Sequence, residues 1–279
     1  FVLPLCVVAL VETALGWYWA KCWPPSRSLT WPAIRGIFQD SRWVMITALA
    51  SALTINGDYL AISLLQSKEL LGVYFFGYQL SLALVALVTS SLDTVMMPTF
   101  SALGGEPSRQ TELFMRGIRL LAVASTFACF ALALAAPALI HGLWAGKWDE
   151  AIPVVQILSL AMPVRLMIPL CRAMLEARGQ WRLVSTLSIC DGAGIILAGA
   201  VGAWAGGLIL ITAVVSGYNL FAGLLYCAVV ARMLPTPFTA LCAPALLTLC
   251  AGLLAATFGV GILMPAKLAP FNPAGLLIS

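Results

Sequence analysis

Charged side chains are scarce in this 279-residue sequence. Only 9% of its residues are Asp, Glu, Lys or Arg, against about a quarter in an ordinary soluble domain. At the same time 62% of the residues are hydrophobic, which is more than a soluble globular protein can bury. The sequence therefore excludes a soluble globular protein. A nucleic-acid-binding protein is excluded as well, because the basic residues are too scattered to form a face that follows phosphates.

Patterns for metal binding and catalysis are also missing. The sequence has a single histidine, His141, and its 8 cysteines contain no CxxC pair. Nearly all of these cysteines lie in or beside apolar runs, where thiols pack as small hydrophobic groups. Because there is no Ser-His-Asp arrangement, metal cluster or Walker loop, we expect no metal, no cofactor and no enzymatic activity, ATP hydrolysis included.

Long apolar runs recur along the whole chain, and they are continuous rather than alternating. A helix needs about 20 such residues to cross a hydrocarbon core about 30 Å thick, whereas a porin-like barrel needs alternation. The sequence therefore predicts an all-α, polytopic transmembrane helical bundle of about eight spans. The predicted spans are 1–20, 41–65, 72–101, 117–140, 153–175, 182–204, 207–230 and 239–264.

Basic residues alternate between the two sides of these spans. Arg109, Arg178 and Arg232 lie in turns on one side, whereas Lys68 and Lys147 lie in turns on the other. Because Lys and Arg accumulate in short cytoplasmic loops, we expect the arginine-rich side to be cytoplasmic. The formal net charge of +4 then reflects topology rather than an anionic partner.

Ionisable side chains at membrane depth cost on the order of 3 kcal/mol each to insert, so each one is a candidate functional residue. Asp58 lies about 24 Å along the second span, in the outer half of the bilayer. Asn56 and Gly57 precede it, and we expect this polar stretch to loosen the helix and free backbone carbonyls. The sequence therefore predicts that Asp58 and Asn56 line a cavity.

Two arginines and two further acids lie within predicted spans. Arg165 is the most interior cation, and Asp191 reaches a similar depth in the next, antiparallel span. Two interpretations stay open: a buried ion pair that fixes packing, or an Arg165 that faces a polar lumen and is tuned by Asp191. Arg172 lies about 10 Å nearer the cytoplasm, and such a ladder of guanidinium groups suits phosphate oxygens. Asp93, near the inner end of the third span, is expected to cap a helix or pair with an arginine.

Several motifs resemble those of a known family. They are NGDYLAI at 56–62, LLGVYFFGY at 70–78, VMMPTFS at 95–101, LWAGKW at 143–148, AIPVVQIL at 151–158 and ARGQ at 177–180. In these motifs the chain resembles the polysaccharide transporter (oligosaccharide flippase) family of the multidrug/oligosaccharidyl-lipid/polysaccharide exporter superfamily. The resemblance covers about residues 35–260 and implies a C-terminal portion of such a transporter.

The resemblance implies two six-helix lobes around a central cavity. Residues 1–40 then hold the last span of an N-terminal lobe with a cytoplasmic linker, 41–232 a six-helix C-terminal lobe, and 233–279 an extra span with a truncated tail. The implied function is to flip an undecaprenyl-diphosphate-linked oligosaccharide across the bacterial inner membrane, for lipopolysaccharide, capsule or exopolysaccharide biosynthesis. Arg165 and Arg172 fall in the span where the family often carries cavity-facing arginines.

The resemblance also implies partners: the lipid-linked saccharide and membrane lipids, with a polysaccharide polymerase and glycosyltransferases as candidate protein partners, and no nucleic acid.

Two alternative functions stay open. One is a cation-coupled multidrug exporter of the same superfamily that uses Asp58 as a proton or sodium site. The other is a non-transporting membrane assembly partner, favoured if the intramembrane charges pair mutually and no cavity exists. A headgroup flippase needs cations in its lumen, whereas a drug exporter needs acids and aromatic groups.

Overall fold

A computed structural model describes residues 10–16, 18–19 and 31–234, apart from the side chains at 33–34, 37, 40 and 84–94. Residues 10–16 and 18–19 are helical. The longer helices are α1 (Trp31–Leu65), α2 (Lys68–Ala102), α3 (Pro107–Trp144), α4 (Ile152–Arg165), α5 (Met167–Ala177), α6 (Trp181–Ala205) and α7 (Leu208–Met233). A short 3₁₀ helix, Asp149–Ala151, precedes α4.

Within the described residues, five helical segments are long and apolar enough to cross a membrane. They are Ser41–Leu65, Pro107–Trp144, Asp149–Ala177, Trp181–Ala205 and Leu208–Met233. The prediction of an all-α, polytopic membrane bundle is therefore confirmed. The predicted span 72–101 is helical as part of α2, whereas 239–264 and most of 1–20 lie outside the described residues.

Contacts divide the chain into two units, Phe1–Arg42 and Trp43–Ser279. The first unit contains the helical residues 10–16 and 18–19 and the first part of α1. The second contains the rest of α1 and all of α2 to α7, and every contact discussed below lies within it. The division of the chain at residues 40 and 232 stays a prediction.

The turns between helices follow from their local sequence. The Ser67 hydroxyl accepts a hydrogen bond from the Leu70 N–H at 3.3 Å and so caps the start of α2. Pro107 occupies the first position of α3, where a missing N–H leaves no hydrogen bond unmade. Gly206 and Gly207 join α6 to α7 with φ angles of 88° and 85°, which a residue with a Cβ adopts only under strain.

The predicted fifth span, 153–175, is not one continuous helix. It ends as α4 at Arg165 and resumes as α5 at Met167, with Leu166 as a turn between them. Pro169 explains the break, because it lacks the N–H that would bond to the Arg165 carbonyl, and its ring crowds that carbonyl. Leu166 keeps helical backbone angles (φ −62°, ψ −15°), so α4 and α5 follow each other within the one membrane segment Asp149–Ala177.

The expected interruption of α1 at Asn56 and Gly57 is wrong, since the helix is continuous from Trp31 to Leu65. Gly57 instead allows α1 to pack closely on α6, because a Cβ at this position would lie 2.6 Å from Ile196 Cγ1. Gly199 on α6 likewise approaches the backbone of Asp58. Small residues thus bring these two helices together, as is common between membrane helices.

Two main clusters of buried apolar side chains hold the helices of the second unit. The first includes Phe100, Phe114, Val164, Met167 and Tyr226. The second includes Ile62, Tyr74, Leu158, Leu166 and Ile195. Val164 and Leu166 belong to different clusters, so the break between α4 and α5 lies where the two clusters meet.

Candidate functional site

A cavity of about 390 Å³ lies among α1, α2, α4, α5 and α6. Residues on both sides of the break between α4 and α5 line it. Broken helices at membrane depth are tolerated where they line a cavity, and in transporters they often mark the binding site. The polar residues that line the cavity are Ser51, Thr54, Tyr78, Arg165, Arg172, Glu176, Ser188 and Asp191.

Arg165 and Asp191 form a bidentate ion pair across this cavity. Arg165 Nη1 donates to Asp191 Oδ1 at 2.8 Å, and Nη2 donates to Oδ2 at 2.9 Å. Their side chains are only 18% and 6% exposed. Such a fork is the strongest geometry for a guanidinium and a carboxylate, so both buried charges are compensated.

Tyr218, on α7, supports Asp191 from a third helix. Its hydroxyl lies 3.1 Å from Asp191 Oδ1 and 3.0 Å from the Asp191 backbone carbonyl, and it can donate to either. Gly194 makes room for this ring, because a Cβ there would collide with the Tyr218 hydroxyl. Asp191 therefore keeps a hydrogen-bond donor that does not depend on Arg165.

Arg172 forms a second, looser pair in the same cavity. Its Nη2 lies 3.7 Å from Glu176 Oε1, one turn later on α5, and its Nη1 donates to Ser51 Oγ of α1 at 3.1 Å. The side chains of this pair are 28% and 20% exposed, so both are more open to the cavity than Arg165 and Asp191. Arg172 is the arginine that an entering ligand can engage with less disruption.

The cavity therefore holds two guanidinium groups and two carboxylates, and its formal charges balance. An anionic ligand would compete with Asp191 for Arg165, whereas at Arg172 it would compete with the longer contact to Glu176 at 3.7 Å. A phosphate can do this chemically, because its oxygens accept the same forked hydrogen bonds from Arg. A cationic ligand could instead compete for Asp191 and Glu176.

Asp58 does not line this cavity. It is fully buried, its Oδ2 accepts a hydrogen bond from the Tyr74 hydroxyl at 2.7 Å, and its Oδ1 accepts one from the Tyr59 N–H at 2.9 Å. Asn56 lies on the exposed face of α1, where its amide donates to the Ala52 carbonyl at 3.0 Å. The side chain of Asp93 lies outside the described residues, so its predicted role stays a prediction.

The sequence reasoning did not identify Glu176 or Tyr218. Glu176 had a local signal, because it follows Arg172 by four residues on one helix, the spacing at which opposite charges pair. Tyr218 had none, since its contact with Asp191 depends on how α7 packs against α6. The substrate-binding roles of Arg165 and Arg172 stay predictions, although both residues meet in one cavity.

One family model and two relatives that match this chain are all named for biosynthesis. A family model described as "Polysaccharide biosynthesis protein" matches residues 2–153. The amylovoran biosynthesis protein AmsL of Erwinia amylovora is 26% identical over 184 residues, which cover 62% of this chain and 46% of the relative. The teichuronic acid biosynthesis protein TuaB of Bacillus subtilis (strain 168) is 25% identical over 256 residues, which cover 88% of this chain and 52% of the relative.

The chain thus spans about half the length of the curated relatives it matches. No solved structure matches it.

Proposed function

Because the chain belongs to the polysaccharide biosynthesis protein family, we propose that it forms part of a flippase for an undecaprenyl-diphosphate-linked oligosaccharide. In this proposal the protein lies in the bacterial inner membrane and supplies lipopolysaccharide, capsule or exopolysaccharide synthesis. It moves its substrate without changing it chemically, so it is not an enzyme. The main support for the proposal is the cavity at the break between α4 and α5, which Arg165 and Arg172 line.

The diphosphate is the part of such a substrate that is hardest to move. An uncompensated ionic group in hydrocarbon faces a penalty of tens of kcal/mol, which fixed cations in a protein cavity lower. Arg165 and Arg172 offer planar forks for phosphate oxygens, and the first residues of α5 line the same cavity.

The ion pairs give this site a way to bind the diphosphate and release it again. Arg172, the more open arginine, receives the phosphate first, and Arg165 exchanges Asp191 for a phosphate oxygen afterwards. Asp191 keeps its contact with the Tyr218 hydroxyl during the exchange. Recombination of Arg165 with Asp191 then expels the phosphate, so that binding stays weak enough for passage.

The names of the relatives support a role in biosynthesis. One relative is named for the biosynthesis of amylovoran and the other for that of teichuronic acid. We infer that this protein works beside glycosyltransferases, which build the lipid-linked saccharide, and beside a polysaccharide polymerase, which uses it. Membrane lipids surround the exposed apolar faces of its helices.

A flipping assay tests the proposal. The full-length protein is reconstituted into vesicles with a fluorescent lipid-linked diphosphate saccharide, and its appearance in the opposite leaflet is measured. Arg165→Ala should lower the rate about tenfold or more, since it removes charge-assisted hydrogen bonds worth about 1.5–3 kcal/mol. Arg165→Lys, which keeps the charge but not the fork, should retain partial activity.

Arg119→Ala is the matched control for this assay. Arg119 is exposed on α3 and does not line the cavity, so its loss should leave the rate unchanged. A wild-type rate in Arg165→Ala, in protein that inserts and folds, contradicts the proposal.

One observation favours the multidrug exporter as a second candidate. The same cavity is lined by Asp191, Glu176 and Tyr78, which are acids and an aromatic ring that suit an organic cation. The two arginines already compensate both acids, which weighs against this alternative. Transport of a cationic dye by the reconstituted protein, without flipping of the diphosphate lipid, favours the exporter.

A further inference from the structure

Two of the charged side chains that line the cavity are acids, and an anionic substrate leaves both without their cations. Asp191 pairs with Arg165, and Glu176 lies closest to Arg172. When a phosphate takes over the two guanidinium groups, these carboxylates stay in the cavity as acceptors without a charged donor. A buried charge without a partner is costly, so the bound state is favourable only if the substrate itself donates to these acids.

The positions of both carboxylates are set by contacts other than the phosphate-binding groups. The Tyr218 hydroxyl lies 3.1 Å from Asp191 Oδ1 and 3.0 Å from the Asp191 backbone carbonyl, and Gly194 leaves the space that this ring fills. Glu176 is on α5, one turn after Arg172, and its side chain is only 20% exposed. The negative charges therefore remain beside the substrate after the arginines have turned to the phosphate.

The sugar attached to the diphosphate is the part of the substrate that reaches these acids. Its anomeric carbon is joined to phosphorus through a single oxygen, so the sugar ring lies beside the phosphate wherever the phosphate binds. The hydroxyls of Ser51 and Thr54 and the ring of Tyr78 line the same cavity. Such a mixture of polar groups and an aromatic surface suits a sugar, which has hydroxyls at its edge and C–H groups on its faces.

Sugars differ in what they can donate to a carboxylate. A hydroxyl donates one hydrogen bond and an ammonium group donates several, whereas the ionised carboxylate of a uronic acid is an acceptor only. Hydrogen bonds to an ionised acceptor are about twice as strong as those between neutral groups. A uronic acid therefore offers fewer donors to the two acids, and its own charge repels theirs at short distance.

We propose that Asp191 and Glu176 select the sugar next to the diphosphate by its charge: they admit a neutral or positively charged sugar and reject a uronic acid. This proposal rests on the proposed function and specifies the substrate class of the same site. The selection combines attraction of the hydroxyl or ammonium donors with repulsion of the wrong substrate, which is how many sites achieve specificity. It concerns the sugar next to the diphosphate and not the sugars farther along the saccharide.

Three lipids that differ in one group of the sugar test the proposal in vesicles. Each has the same polyprenyl chain, a diphosphate and one sugar, which is glucose, glucuronic acid or glucuronamide. Glucuronamide has the shape of glucuronic acid without its charge. The full-length protein should flip the glucose and glucuronamide lipids at similar rates and the glucuronic acid lipid about tenfold more slowly, a difference of about 1.4 kcal/mol. Equal rates for the last two lipids overturn the proposal while the proposed function stands.

Substitution of a single acid tests which residues make the selection. Glu176→Gln keeps the shape of the side chain and removes its charge, so the ratio of the glucuronamide to the glucuronic acid rate should fall severalfold. Asp191→Asn should lower the ratio as well. Glu112→Gln is the matched control, because Glu112 is an exposed acid on α3 that does not line the cavity, and its ratio should equal that of wild type. A wild-type ratio in both cavity variants overturns the assignment, and so does an equal fall in the control.

Binding of the same lipids to the solubilised full-length protein separates selection from transport. The Kd of the glucuronic acid lipid should be about tenfold higher than that of the glucuronamide lipid. If this difference is present and no lipid is flipped, the proposed function fails while the selection by charge stands. Equal Kd values for the two lipids overturn the selection, whether or not the protein flips them. This comparison needs only the wild-type protein, so it decides the matter even if the variants do not fold.

Discussion

The two cavity arginines differ in burial and in the quality of their ion pairs, and this difference determines what each substitution costs. Arg165 and Asp191 are 18% and 6% exposed and bonded bidentately, whereas Arg172 and Glu176 are 28% and 20% exposed with one contact at 3.7 Å. Removing one member of a buried pair strands the other charge, while an open pair contributes little.

We therefore expect Arg165→Ala to lower the free energy of unfolding by about 3–5 kcal/mol, because Asp191 is left uncompensated. Arg172→Ala should lower it by about 1 kcal/mol or less. Denaturant or thermal unfolding of the purified full-length protein measures both. Equal losses in the two variants would show that the deeper pair does not stabilise the fold in the way its burial indicates.

A second residue-scale prediction concerns Asn219, on α7. It is fully buried, and within the described part of the chain neither Nδ2 nor Oδ1 has a hydrogen-bond partner. An unsatisfied buried amide costs about 1–3 kcal/mol, so Asn219→Leu, of similar volume, should raise the unfolding free energy by an amount in that range. Ser216→Ala is the control on the same helix and should lower it, since the Ser216 hydroxyl donates to the Ile157 carbonyl. A loss of stability in Asn219→Leu would mean that the amide has a partner in the membrane.

At the scale of helices, glycine sets the approach of α7 to α4. A Cβ on Gly223 would lie 2.6 Å from the Val164 carbonyl oxygen, a backbone atom that cannot move aside, whereas Gly217 on the same helix has nothing within 4 Å. Gly223→Ala should push the helices apart and cost about 1–3 kcal/mol of stability. Gly217→Ala should be neutral or stabilising by up to about 1 kcal/mol, because alanine favours a helix. Similar effects of the two substitutions on thermal unfolding would contradict this packing.

The sequence predicts the helices well where hydrophobic length and turn residues agree. The predicted spans 182–204 and 207–230 agree with Trp181–Ala205 and Leu208–Met233 to within a few residues. They agree because Gly206 and Gly207 mark the turn between the two helices. The break at Leu166 was not predicted, although Pro163 and Pro169 flank it. Proline shows where a helix can break, but whether it breaks depends on the packing of its two halves.

The candidate site is predictable to a more limited extent. Counting residues along antiparallel spans places Arg165 and Asp191 at one depth, and the structure joins them. The direction in which Asp58 points follows from the rotation of α1 against α6, which Gly57 and Gly199 set through contacts distant in sequence. The depth of a residue in the membrane can therefore be predicted from its position along one span. The direction of its side chain cannot, because it depends on how the neighbouring helices pack.

At the scale of the whole molecule, the distribution of basic residues predicts which turns face the cytoplasm. Ser108 is exposed at the start of α3, and Lys147 is exposed in the turn that follows the other end of this helix. In a full-length protein freed of native cysteines, an impermeant maleimide added from outside should label a cysteine placed at Lys147 but not one placed at Ser108. Labelling of Ser108→Cys alone would show the opposite topology.

The central claim is that a cation in the cavity receives the diphosphate, and the double variant Arg165→Leu with Asp191→Leu tests it most directly. Replacing a buried ion pair by apolar residues is often neutral for stability, so this variant should fold where Arg165→Ala is weakened. Its flipping of a lipid-linked diphosphate saccharide is measured in vesicles, with unfolding followed in parallel. The account predicts a stable protein with little or no flipping, whereas flipping at the wild-type rate would contradict it.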